Sequence, residues 1–148
     1  MAEVVTRALL DEAGLGEKVI VSSTGTGDWH IGSPANPGSV RALSARGYDG
    51  SQHRARQLTS DRLADYDLLI GLDTANIADI GALLDLRDLP DRPEVALLLD
   101  FVPDGAPGLG VPDPYGMSDA AFEHALDLVE QACRGLVEHL TARLRPTR

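Results

Sequence analysis

Leu68-Leu69-Ile70-Gly71-Leu72-Asp73-Thr74 is the stretch on which the fold turns. An unbroken branched apolar run of this length, without alternation, reads as a strand buried on both faces, the habit of parallel sheets. Asp73 puts a carboxylate where that strand ends, a favoured site location in α/β folds and a natural anchor for a neighbouring loop. Thr74 is predicted to cap a helix reaching about Leu84. Beyond the polar turn Arg87–Asp91, Val95-Ala96-Leu97-Leu98-Leu99 repeats the apolar pattern as a further strand. Upstream, Val19-Ile20-Val21 predicts another short buried strand.

Helices fill the intervals. Val5, Ala8, Leu9 and Ala13 recur at helical spacing before Gly14 and Gly16, and Pro37 to Arg46 predicts a second helix ended by Gly47. Thr59 caps a short third one. The stretch from Asp100 to Gly116 carries four prolines and four glycines, so it is a loop. Ser118 then caps a long final helix with Phe122, Leu126, Val129, Cys133, Leu136 and Leu140 on its inner face. The order α-β-α-β-α-β-α implies one domain over residues 1–148, a three-layer α/β/α fold with a parallel sheet. Such sheets normally begin with a strand, and here the helix comes first, with no Ser, Thr, Asp or Asn ahead of it as a cap.

Composition removes several classes of function. The chain has 148 residues and a formal net charge of −10, which argues against nucleic acid or an anionic membrane as partner. No apolar run approaches a bilayer span, and no signal-peptide core follows Met1, so a cytoplasmic location is expected. The single cysteine, Cys133, rules out an internal disulfide framework and a cysteine-based zinc cluster.

Asp113-Pro114-Tyr115 lies in the long loop. The residue before a proline is pushed to an extended conformation, so Asp113 is held in a defined direction beside an aromatic ring. That arrangement suits proton transfer to an aromatic leaving group, although Asp-Pro also starts ordinary turns. The loop from Ser23 to His30 offers hydroxyls at 23, 24 and 26 and the chain's only tryptophan, Trp29, able to wall a pocket for a flat ring. His53-Arg54-Ala55-Arg56-Gln57 belongs to the one basic stretch, with five arginines between Arg41 and Arg62 against Asp49 and Asp61. It reads either as an anion-facing or scaffold-orienting cluster or as a face balanced by nearby acids. Cys133 sits mid-helix among apolar neighbours, where burial raises a thiol pKa; it reads as core, not as nucleophile.

Taken in order, Met1-Ala2-Glu3, Ser23 to Gly32, His53 to Gln57, Leu72 to Asn76 and Asp113-Pro114-Tyr115 resemble the low-molecular-weight protein tyrosine phosphatases, bacterial members most of all. The resemblance implies metal-independent, cofactor-free hydrolysis of phosphotyrosine in proteins or of small aryl phosphates through a phosphocysteine. It makes Asp113 the general acid and then base, and Trp29 and Tyr115 the walls of the aromatic slot. Ser23 and His53 match groups that hold the phosphate loop in shape, with Arg56 and Asp73 as further supports.

In that family the nucleophile stands in a C-x5-R-[ST] loop after the first strand, directly ahead of the helix that here begins at Met1-Ala2-Glu3. Strand, cysteine and arginine are all missing from these 148 residues. Cys133 is no substitute, since His139 stands six positions on. The expectation is an N-terminally truncated, inactive chain without the first strand; the other reading is a catalytically dead binding or regulatory remnant. An arsenate reductase-like activity would need resolving cysteines in mid-chain, and none is there.

Overall fold

Leu68–Gly71 is indeed a strand, β1, and it pairs in parallel with β2, Glu94–Leu97, in the register Leu68↔Glu94 to Gly71↔Leu97. The computed structural model describes residues 1–25, 27 and 31–146. Four helices accompany the sheet: α1 (Ala2–Glu12), α2 (Pro37–Ala45), α3 (Thr74–Asp85) and α4 (Asp119–Arg143). Short 3-10 turns cover Ser60–Asp65 and Leu98–Phe101.

Side chains alternate across β1 and so define the layers. Leu69 joins Leu58, Leu63, Ile80 and Leu84 in a cluster that includes α3. Leu68 and Ile70 pack against the main cluster, where Val5 of α1 meets Leu126, Val129 and Cys133 of α4. With helices on either side of a parallel sheet, this is a three-layer α/β/α fold. Leu63, Leu84 and Leu126 are fully buried, and each contributes roughly 1.5–3 kcal/mol of transfer free energy.

The predicted inner face of α4 is buried from Phe122 through Leu136, with Ala125, Ala132 and Val137 added to it. Ser118 caps it, its hydroxyl accepting from the Ala121 amide. Gly135 interrupts this face for a reason visible only in space: a Cβ there would stand 1.8 Å from the carbonyl oxygen of Phe101. The helix thus rests directly on the backbone of the Leu98–Phe101 turn.

The structure corrects three details. Val19–Val21 is not a strand: among the described residues no ladder joins it to β1 or β2, and the Val19 amide turns back to the Leu15 carbonyl at 3.1 Å. Val19 and Val21 pack on Leu10, Leu15 and Val137, while Ile20 is 98% exposed. The segment has a strand's alternation without the hydrogen-bonding neighbour that defines one. Strand β2 stops at Leu97, because Leu98 and Leu99 enter the core through a 3-10 turn. The cap of α3 is Asp73, one residue ahead of Thr74, its carboxylate accepting from the Asn76 amide at 2.8 Å.

Most of the basic stretch is scaffold. Arg46 closes α2 and reaches Glu123, Asp127 and Glu130 of α4, each at 2.7 Å, tying the two helices together. Arg41 pairs with Asp119 and Arg62 with Asp65. Arg54 and Arg56 are exposed, and Arg54 bonds the main-chain oxygens of Ser51 and His53.

Candidate active site

Two of the predicted site residues converge on a third that sequence reasoning passed over. Glu3, in the first turn of α1, accepts a hydrogen bond from the Ser23 hydroxyl, and His53 Nδ1 lies 3.2 Å from the same carboxylate oxygen. Its other oxygen takes the Arg7 guanidinium at 2.7 Å, and Arg7 also donates to the Val21 carbonyl. One carboxylate therefore fastens the Ser23 loop and the His53 segment to the start of α1. The signal that was available is the acid in a helix's first turn, where it meets the positive end of the macrodipole.

Burial works to raise the Glu3 pKa, but the hydrogen bonds from Ser23, Arg7 and His53, with the charge of Arg7, outweigh it and hold the carboxyl below its ordinary value. A carboxylate with a depressed folded pKa stabilises the fold above its unfolded value of about 4.3, and that contribution is lost as pH falls through the lower folded value. Glu3→Gln is accordingly expected to cost roughly 1–2 kcal/mol at pH 6. Urea unfolding should show the gap between variant and parent closing as pH drops below about 4; a gap independent of pH would contradict this.

The His53 segment is held by main-chain bonds on two sides. Gly25 donates to the Arg56 carbonyl at 2.6 Å and accepts from the Leu58 amide at 2.8 Å. Ala55 exchanges a pair of 2.8 Å bonds with Gly32 and Ser33. Arg56 thus braces this region through its backbone while its side chain faces solvent. Trp29 lies outside the described residues.

The second group forms at the end of β1. Asp73 caps α3 and Asn76 answers by accepting from the Leu72 amide at 3.1 Å, so the strand-to-helix corner is locked from both sides. The Leu72 carbonyl accepts from Val111 at 2.8 Å, which brings in the long loop two residues before Asp113. Asp113 is exposed, and its Oδ1 accepts from the Tyr115 amide at 3.0 Å, an Asx turn. Tyr115 is 70% exposed. No hydrogen bond joins this group to the Glu3 group among the described residues.

Cys133 belongs to neither group. It is fully buried, takes a hydrogen bond from Thr6 Oγ1 at 3.2 Å, and burial pushes its thiol pKa up. Among the described residues no cluster of three His, Cys, Asp or Glu is placed to hold a metal ion.

The family profile for low molecular weight phosphotyrosine protein phosphatase matches residues 1–145. The chain belongs to this phosphatase family. The low molecular weight protein-tyrosine-phosphatase of Streptomyces coelicolor is 39% identical over 138 residues, covering 93% of this chain and 82% of that relative. The crystal structure of YfkJ from Bacillus subtilis superposes with a TM-score of 0.85 at 30% identity, covering 97% of this chain and 87% of that one. A protein tyrosine phosphatase of Entamoeba histolytica gives 0.84 at 27% identity, covering 96% and 88%. In this member of the phosphatase family the loop that carries Asp113 is bonded to the carboxyl end of β1 through the Val111 amide and the Leu72 carbonyl. No helix among its described residues is long and apolar enough to cross a membrane.

Proposed function

We propose that this scaffold serves hydrolysis of aryl phosphate monoesters, phosphotyrosine in proteins above all, through a phosphocysteine, with Asp113 as the proton-transfer residue. The observation that carries the reading is the placement of Asp113: beside Tyr115, before Pro114, on a loop bonded to the end of β1. In the first step a thiolate attacks phosphorus and the P–O bond to the phenol breaks. Asp113, protonated, delivers its proton to the departing phenolate oxygen. In the second step the Asp113 carboxylate takes a proton from water as that water attacks phosphorus, releasing inorganic phosphate and the thiolate. Tyr115 is assigned to contact the substrate ring, and the family resemblance assigns Trp29 to the same task. Ser23 and His53 act through Glu3 to fix the loops around the phosphate. The one thiol, unpaired within the chain, is in keeping with a cytoplasmic setting.

The thiolate and the phosphate-binding arginine are not among these 148 residues. Cys133 is buried, carries a raised pKa and has His139 where an arginine would have to be. We expect the 148-residue chain alone to give no turnover of p-nitrophenyl phosphate. Joining a strand and a C-x5-R-[ST] loop of the family's pattern ahead of Met1 is expected to produce turnover that a Cys→Ser change in the joined loop abolishes. Turnover by the 148-residue chain would overturn the reading that its residues lack the nucleophile; a folded but inactive joined form would overturn the hydrolase reading. The second outcome would leave the chain a binding remnant.

A further inference from the structure

We propose that Gly110 and the Leu72 carbonyl form a latch that sets the position of Asp113, so that Gly110 is a positioning residue for the acid; this rests on the role given to Asp113 above. The contact is backbone to backbone. A Cβ on Gly110 would stand 2.8 Å from Asp73 Cβ and 3.0 Å from Asp73 Cα, with the Leu72 carbonyl oxygen at 3.4 Å. None of these is the far end of a flexible side chain, so the loop itself has to move if the space is filled.

The surface it rests on does not yield. Asp73 is held by the Asn76 amide, and Leu72 by the Asn76 side chain. The next residue, Val111, donates to Leu72 at 2.8 Å, the one main-chain bond between the 102–118 loop and the sheet end among the described residues. From there to the acid the chain is stiff. Pro112 has a fixed φ, Asp113 is constrained by Pro114, and its carboxylate is pinned by the Tyr115 amide. A shift at Gly110 is therefore passed along to Asp113 instead of being absorbed. General acid catalysis needs the carboxyl within about 2.6–3.2 Å of the oxygen it protonates. A misplacement of about 1 Å costs on the order of 100-fold.

The test uses Gly110→Ala and, as a second variant that adds no atom at Asp73, Val111→Pro, which deletes the donor to Leu72. In the 148-residue chain, hydrogen exchange should show lost protection at the Tyr115 amide in both variants, and at the Val111 amide in Gly110→Ala, with α4 unchanged. In the form joined to the C-x5-R loop, the rate of enzyme phosphorylation is compared for two leaving groups. Phenolate must be protonated as it departs; 2,4-dinitrophenolate leaves without help. Both variants are expected to lose about 100-fold with phenyl phosphate and to keep the parent rate with dinitrophenyl phosphate. Equal losses on the two substrates, or unchanged rates on both, would overturn the latch. Asp113→Asn is run beside them. If it shows no dependence on the leaving group, the role of Asp113 falls and the latch with it. If it does and the Gly110 and Val111 variants do not, the latch alone is wrong.

Discussion

Replacing Gly135 with alanine is expected to destabilise the protein by about 3 kcal/mol, although the same change at an open helical position is favourable. In a helix interior alanine is better than glycine by roughly 1 kcal/mol. Gly81 of α3 is such a position, with nothing within 4 Å of an added methyl, and Gly81→Ala should gain close to that amount. At Gly135 the methyl would fall 1.8 Å from the oxygen and 2.8 Å from the carbonyl carbon of Phe101. Neither atom can step aside by rotating a side chain. Either α4 retreats by more than an ångström or the Leu98–Phe101 turn does. Both movements open the packing of Leu98 and Leu99 against α4, and Phe101 also sits 5.4 Å from the His139 ring one turn further along. Overpacking of this kind costs about 1–3 kcal/mol where side chains adjust, and more where backbone must. The propensity gain does not offset it. Urea titration should show a lowered midpoint with an unchanged slope, and thermal melting a Tm lower by roughly 6–12 °C for a chain of this size. A variant as stable as its parent would mean that α4 does not rest on that carbonyl.

The contrast between Gly81 and Gly135 shows what a linear chain of residues conceals. Both are single glycines in helical patterns, and nothing in their neighbours along the chain separates them. The difference lies in a contact with Phe101, 34 residues away. Periodicity does identify α4 and its buried face, because Phe122, Leu126, Val129, Cys133 and Leu136 satisfy a local rule that tertiary packing simply uses. It also identifies β1, whose apolar run is long enough to be buried on both sides. The same rule fails for Val19–Val21, since a strand is a relation between two segments and its composition says nothing about the partner.

The site divides in the same way. Asp113, Tyr115, Ser23 and His53 stand out because their types and neighbours suggest a chemistry. Glu3 does not, since an acid in a helix's first turn is ordinary; what matters is that residues 20 and 50 positions away bond to it. Asp73 was legible as an anchor at the strand end. Its partnership with Gly110 was not, because glycine carries no chemistry and its value here is the absence of an atom.

The other large effect concerns Asp113 itself. In the form joined to a C-x5-R loop, Asp113→Asn should slow turnover of phenyl phosphate by about 100- to 10,000-fold, the usual span for losing a placed general acid. Asparagine is close in size and can still accept from the Tyr115 amide, so the Asx turn and the fold should survive. It has no proton to give to phenolate and no lone pair basic enough to take one from water. The two steps are therefore separable. With phenyl phosphate the phosphorylation step fails first. With 2,4-dinitrophenyl phosphate the leaving group needs no proton and phosphorylation proceeds, but the phosphocysteine then lacks a base for its hydrolysis. The expected record is a burst of dinitrophenolate close to one equivalent per protein, followed by slow turnover. Parent protein should show a smaller burst and a faster steady phase. Equal slowing of both substrates without a burst would instead mean that the substitution disturbs binding, and Asp113 would lose its place as the group that moves the proton.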